Sequence, residues 1–369
     1  QGRASGCADH TRTRPPSVRS RAMDPVTQGL LGAAAAQVAL PRLGHRAWFA
    51  GLCGGLLPDA DFLLQPLSDP ALPWDLHRHF THSLVMVPLL GAFTAWVLGF
   101  LPGMRGGDRR ALFLAATLGV LTHGPLDWLT SFGTRVLWPF TDAWLAADLF
   151  PIVDPLLTLV LLVGVVVSAR TKARAGAVAA FAFVALYLGV AVVQHGRALD
   201  AQSALAAARG HSIERGRAMP QPGSLLVWRS IYETDGVLVS DVVRPGVAVR
   251  GVEGTRGERL DVGTVEAPRE PERVAEVLRR FARFADGYTA WVPSDPDVVG
   301  DMRYGVGGSA KTLWGIRVGT RPGAPAVLWA QPDLGGSEVV GALWAAILGR
   351  SEGLRPLESV VATEAEDGS

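Results

Sequence analysis

The stretch "LHRHFTHS", residues 76–83, sets His77, His79 and His82 around Arg78, in a chain with 8 histidines in all. Upstream, "PDAD" supplies Asp59 and Asp61; downstream, "THGPLD" supplies His123 and Asp127. Imidazoles and carboxylates together are the ligands of zinc and manganese, and a bound divalent ion activates water for hydrolysis. Each motif alone reads two ways. His123 and Asp127 are four residues apart, so on a helix they share one face. That spacing suits half a metal site, and equally a core pair in which an arginine meets the Asp and a carbonyl meets the His. Pro125 between them removes a backbone donor and kinks the helix. Asp59 and Asp61, at alternate positions, fit a cation on a turn, or a polar turn that caps a helix. Three histidines just after two carboxylates fit coordination better than core packing. Arg78 reads first as an interfacial charge and second as the partner of a carboxylate or an anionic substrate group. Asp24 and Asp154 each precede a proline, the pattern of an N-cap and a first helical residue. For Asp154, capping and service to the metal site weigh equally; Asp148 is a ligand or a loop residue. Trp128, Trp138 and Trp144 fit an interfacial aromatic belt, or the wall of a lipid pocket.

These residues need elements to hold them. Apolar runs at 84–101, 111–130, 149–168 and 177–193 are each long enough to cross a bilayer. Two shorter segments, 25–40 and 47–57, are rich in Ala and Gly and suit close helix packing. Past His195 the pattern changes to short β-type runs punctuated by Gly and Pro. Among them, residues 272–284 place Val274, Val277, Leu278, Phe281 and Phe284 on one helical face. The expected fold is mainly α: a polytopic transmembrane helical bundle of four spans plus two shorter N-terminal helices, followed by a small α+β extramembrane domain. The expected division is a disordered or non-native extension (1–22) ahead of Met23, the transmembrane domain with the His/Asp site (23–195), a linker helix and loop (196–223), the α+β domain (224–353) and a flexible tail (354–369). The extension lacks the apolar core of a signal peptide.

Arg42 and Arg46, then Arg105, Arg109 and Arg110, then Arg170, Lys172 and Arg174 mark loops that the positive-inside rule assigns to the cytoplasm. The His and Asp residues and the C-terminal domain then fall on the outer side. Ionisable groups gathered at one membrane level are costly and mark function. The formal net charge of +1 gives no basic field for nucleic acid, and an apolar fraction of 49% suits a membrane protein. Cys7 and Cys53 form no metal or redox spacing.

The stretches "MDPVTQGLLGAA", "GGLLPDADF", "HRHFTHSL", "LTHGPLDWLTSFGTRVLWPF" and "DLFPIVDPL" occur in this order across residues 23–157. In that order the chain resembles the YdjM-type family of membrane-bound, metal-dependent hydrolases. "GDMRYG", residues 300–305, matches more loosely. The family usually has a histidine where this chain has Gln28, whose carbonyl binds transition metals poorly compared with imidazole. The resemblance implies a hydrolase and names no substrate. The expected ligands are Asp59, Asp61, His77, His82, His123 and Asp127, for one or two ions, with zinc ahead of manganese. His79 or Asp154 is the expected general base or orienting group. The expected setting is the outer face of a bacterial inner membrane, with the bilayer as partner and a lipid-like or amphiphilic ester or phosphoester as substrate. Two rivals stand beside it. A transporter or metal permease would place polar groups at the midplane of repeated halves, whereas here they gather at one end without a repeat. A non-catalytic scaffold would hold a structural metal in a closed site.

Overall fold

The structure, a computed structural model, describes residues 24–360 except 68, 70, 74, 107, 247–248, 306–311, 320–324, 332–340, 342–343, 351–354 and 358–359. The extension expected at 1–22 and most of the expected flexible tail lie outside the described residues. Six helices come first: α1 (Pro25–Ala39), α2 (His45–Leu56), α3 (Val87–Leu98), α4 (Arg109–Trp128), α5 (Pro155–Thr171) and α6 (Ala175–Ala208). Their starts follow capping chemistry. Asp24 accepts from the Val26 N–H and Asp154 from the Leu157 N–H, each with a proline in the first turn, and Asp108 caps α4. α1, α2 and α4 pack backbone to backbone. A Cβ on Gly119 would lie 2.1 Å from the Gly51 carbonyl oxygen, so only glycine permits this crossing.

The expected bundle of four spans is not what these helices form. Among the described residues, one helix, α6, is long and apolar enough to cross a bilayer; a second span exists only if α2 and the bent segment Pro58–Leu64, 43° apart, count together. Helix lengths give the reason. α3 has 12 residues and α5 has 17, or about 18 and 26 Å at 1.5 Å per residue, against a hydrocarbon core of about 30 Å. The run at 84–101 opens in a 3-10 turn, Leu84–Met86, that shortens its helix. α4 has 20 residues but starts on two arginines and ends on the His123–Asp127 pair. Apolar side chains still face outward on α3, α5 and α6, among them Trp96, Leu159 and Leu186.

The C-terminal part is richer in sheet than expected, with two antiparallel sheets. One runs β1 (Arg215–Pro220), β2 (Trp228–Thr234), β3 (Val237–Arg244), β4 (Arg250–Glu258), β9 (Arg355–Pro356); the other runs β5 (Thr289–Val292), β6 (Asp295–Asp301), β7 (Gly315–Val318), β8 (Val327–Ala330). α7 (Pro271–Phe284) buries Val274, Val277, Leu278, Phe281 and Phe284 in a cluster with Ile316, Val318 and Trp329 of the second sheet. This part docks on the helical part beside the histidines. Arg217 of β1 holds Asp148 through two bonds of 2.7 and 2.8 Å and donates to the Ser131 carbonyl at 3.2 Å. Arg273 and Arg280 of α7 pair with Asp69 and Asp75. Phe284 packs on Phe132 and Trp144, with ring centroids 5.0 and 5.8 Å apart. Trp144 therefore sits in the contact between the two parts, whereas Trp128 is 44% exposed.

Candidate metal centre

Four side chains meet in the helical part. Asp59 comes from the 3-10 segment Pro58–Leu67 that follows α2, His82 from the 3-10 turn Phe80–His82, and His123 and Asp127 from successive turns of α4. All four are buried. The His82 segment rests directly on α4, because a Cβ on Gly124 would lie 2.6 Å from the His82 carbonyl oxygen.

The hydrogen-bond pattern sets which atoms face inward. The Nδ1–H of His123 donates to the Gly55 carbonyl at 2.7 Å, so that in the neutral ring it is Nε2 that carries the lone pair. Thr81 donates its hydroxyl proton to Asp61 at 2.9 Å, so its oxygen accepts from the Nδ1–H of His82 at 3.0 Å. In the neutral ring the His82 Nε2 then carries the lone pair, 3.3 Å from Asp59 Oδ1. One oxygen of Asp127, Oδ1, accepts from Gln28 Nε2 at 2.8 Å and faces the Arg78 guanidinium at 3.2 Å. Its other oxygen turns inward.

Between these inward atoms the distances are 3.3 Å (His82 to Asp59), 3.2 Å (His82 to Asp127), 3.5 Å (His123 to Asp59) and 3.5 Å (His123 to Asp127). Two imidazoles facing two carboxylates at such distances need positive charge between them, supplied either by protons on the rings or by a cation among the four atoms. A tetrahedral ion with ligand bonds of about 2.0–2.1 Å has edges of about 3.3–3.4 Å. The His123 Nε2 and the Asp59 and Asp127 Oδ2 atoms have no hydrogen-bond partner among the described residues. These groups can therefore hold a metal ion, and the donor set fits one.

Asp61 and His77 form with His82 a second buried group whose ligand atoms lie close enough together to hold a metal ion. Asp61 spends its oxygens on three donors: His77 Nδ1–H at 2.8 Å, the Arg78 backbone N–H at 3.1 Å and the Thr81 hydroxyl. Its Oδ2 lies 3.5 Å from His82 Nδ1 and is also joined to that ring through Thr81, an arrangement in which a carboxylate orients an imidazole. Arg78 is 1% exposed, has a positive φ of 57°, donates to Thr130 at 3.0 Å and lies 4.7 Å from the Phe132 ring. It is a built part of the centre. His79 lies outside the four, with its ring against Trp138 and Phe80. Burial and then the neighbouring Arg135 charge hold its pKa below the ordinary value. Asp154 does not join the centre; it caps α5 and accepts from the Tyr187 hydroxyl at 2.6 Å. Asp148 is taken by Arg217. The Gly55 carbonyl, which fixes the His123 tautomer, carries no side-chain signal in sequence. Thr81 lies inside the histidine motif, and its part shows only once the Asp61–Thr81–His82 relay is seen.

The side chain of Asp59 is 10% exposed, against 0% for the other three. The centre thus opens toward Asp59, where Phe62 and Leu63 are 52% and 67% exposed.

Residues 23–198 match the family model described as YdjM inner membrane protein. The chain is 38% identical over 135 residues to inner membrane protein YbcI of Escherichia coli, covering 34% of this chain and 69% of YbcI. It is 32% identical over 116 residues to the uncharacterized protein YfhP of Bacillus subtilis, covering 31% of this chain and only about a third, 34%, of YfhP. No solved structure matches. All four residues of the centre lie within the matched stretch, and the chain belongs to the YdjM inner membrane protein family.

Proposed function

We propose that this protein is a metal-dependent hydrolase of the bacterial inner membrane. The observation that carries the reading is the set of four inward ligand atoms, each imidazole nitrogen 3.2–3.5 Å from both carboxylate oxygens, with the outer nitrogen of each ring held by a neighbour. Asp59, His82, His123 and Asp127 hold the ion, zinc ahead of manganese by donor type. A divalent ion held there acidifies water and neutralises developing negative charge. The chain's own residues do the rest. Gln28 and Arg78 fix Asp127, while Asp61 through Thr81 fixes His82. Asp59 is the least covered of the four, and its Oδ2, which has no partner among the described residues, is the oxygen left to accept a proton from a water held there. His79, kept neutral by burial, serves as a base only for a substrate that reaches the Trp138 side. The exposed Phe62 and Leu63 support an amphiphilic ester or phosphoester as substrate.

A second reading has its own support. Four protein ligands close a tetrahedral ion, which is the mark of a structural site. The two separate in one experiment: the full chain in detergent, reconstituted with zinc, is assayed for release of nitrophenol from carboxylic, phosphomonoester and phosphodiester substrates. Turnover that chelation abolishes and added zinc restores supports the hydrolase. Bound zinc with no turnover on any of the three classes supports the scaffold.

A further inference from the structure

Asp61 and His77 lie 16 positions apart in sequence and are joined by a bond of 2.8 Å, so residues 62–76 form a loop closed at its base. The metal centre stands at that base, with Asp59 just before the loop and His82 just after it. The outgoing limb leaves Phe62, Leu63 and Leu67 exposed. The returning limb does the opposite: Ala71 and Leu72 are buried, Leu72 completely. They sit in the core of the C-terminal part, in one cluster with Val277, Phe281 and Ile316. Among the described residues, every other buried member of that cluster lies at Leu260 or beyond, so the loop tip is a plug from the helical part in the core of the other part. The turn that presents it is built locally. Asp69 accepts from the Ala71 N–H at 2.9 Å through its side chain and from the Leu72 N–H at 2.8 Å through its carbonyl. Charge then holds both shoulders of the turn: Arg273 of α7 pairs with Asp69, and Arg280, two helical turns further on, pairs with Asp75.

A loop of this length closes in many shapes, so ligands carried at its ends are loose unless something fixes its course. Ligand placement to a fraction of an ångström needs side chains locked by the packing around them. Here the lock is the other part of the molecule. An apolar side chain in a close-packed core has one seat, and the two ion pairs keep the loop from turning about it. Asp75 is two residues from His77, so a shift of the tip passes to the His77–Asp61 bond and on to the contacts through which Asp61 orients His82. We propose that Leu72 is a positioning residue for the metal centre, and that the C-terminal part holds the ligand-bearing loop in place by seating Leu72 in its core. The C-terminal part is thereby a support that metal binding requires. This inference rests on the metal centre of the proposed function and not on hydrolysis.

The test uses the full chain in detergent, with folding verified by circular dichroism. Zinc affinity is read by competitive chelator titration, and the ligand environment by the visible absorption of the cobalt-substituted protein. Wild type is compared with Leu72→Ala, Leu72→Met and Val277→Ala. Leu72→Met keeps the volume of the plug. Val277→Ala opens a cavity in the same core from α7 and not from the loop, and so controls for general loosening. The expected result is zinc binding about tenfold or more weaker in Leu72→Ala, with a changed cobalt spectrum, and wild-type values in Leu72→Met and Val277→Ala. Unchanged affinity and spectrum in folded Leu72→Ala, or an equal loss in Val277→Ala, overturns the inference while leaving the metal centre standing. If Leu72→Ala does not fold, the double variant Arg273→Gln/Arg280→Gln, which frees the shoulders of the turn without opening the core, decides in its place: weaker zinc binding supports the inference, and wild-type affinity overturns it. Wild type that binds neither zinc nor cobalt overturns the metal centre and the inference with it.

Discussion

Asp127 joins two systems: one oxygen faces the imidazoles, and the other is held by Gln28 and Arg78. Gln28 thus acts behind the ligand sphere, on the outer oxygen of a ligating carboxylate. Gln28→Ala removes that orientation and leaves four ligands in place, so zinc affinity should fall about 10- to 100-fold with the fold intact. A competitive chelator titration reads this, and unchanged affinity would show that Gln28 does not position Asp127. Asp61→Asn makes the parallel case for His82. With Asp61 as the group that orients His82, this variant should weaken zinc by a similar factor of about 10–100 and keep the stoichiometry. Loss of the whole ion in folded Asp61→Asn would make Asp61 a ligand. The residue types of this centre were legible in sequence, since His82, His123, Asp59 and Asp127 all lie in short motifs. The sorting of six candidates into two groups that share His82, one with Asp59, His123 and Asp127 and one with Asp61 and His77, was not. It depends on which ring nitrogen meets which carbonyl, and Gly55 offers its carbonyl with no side chain to announce it.

At the scale of elements, local chemistry foretold the starts of helices and the faces of one. Asp24-Pro25 and Asp154-Pro155 cap α1 and α5, and α7 buries the five residues its periodicity names. Helix lengths were not legible. An apolar run says nothing of the 3-10 turn at Leu84–Met86 that shortens α3, and hydropathy sees composition where the helix obeys backbone geometry. Close approaches are equally silent: Gly124 looks like any glycine until the His82 carbonyl is seen against it. Gly124→Val should push the His82 turn off α4, at a cost of about 1–3 kcal/mol from overpacking, and should weaken zinc binding as well. Thermal unfolding with and without zinc separates the two effects. Equal zinc-induced stabilisation in variant and wild type would mean that the turn has room to move.

Across the whole molecule, the C-terminal part is fastened to the helical part by a few charged ties that no single-sequence pattern pairs. Asp148 and Arg217 are 69 residues apart, and only the fold shows Asp148 as the anchor of β1. Their side chains are 9% and 12% exposed, so Arg217→Met leaves a largely buried carboxylate without its partner. A loss of about 2–4 kcal/mol is expected, with faster proteolysis in the connection that follows α6. Unchanged thermal stability together with unchanged proteolysis would show that the ion pair does not fasten the two parts. The central claim is that Asp59, His82, His123 and Asp127 form one metal centre, and elemental mass spectrometry tests it most directly. Detergent-purified full chain, after zinc reconstitution, is measured beside His82→Ala and His123→Ala, with circular dichroism to verify folding. The account predicts one divalent ion per chain in wild type and none in either folded variant. No ion in wild type, or an ion retained in both variants, would contradict it.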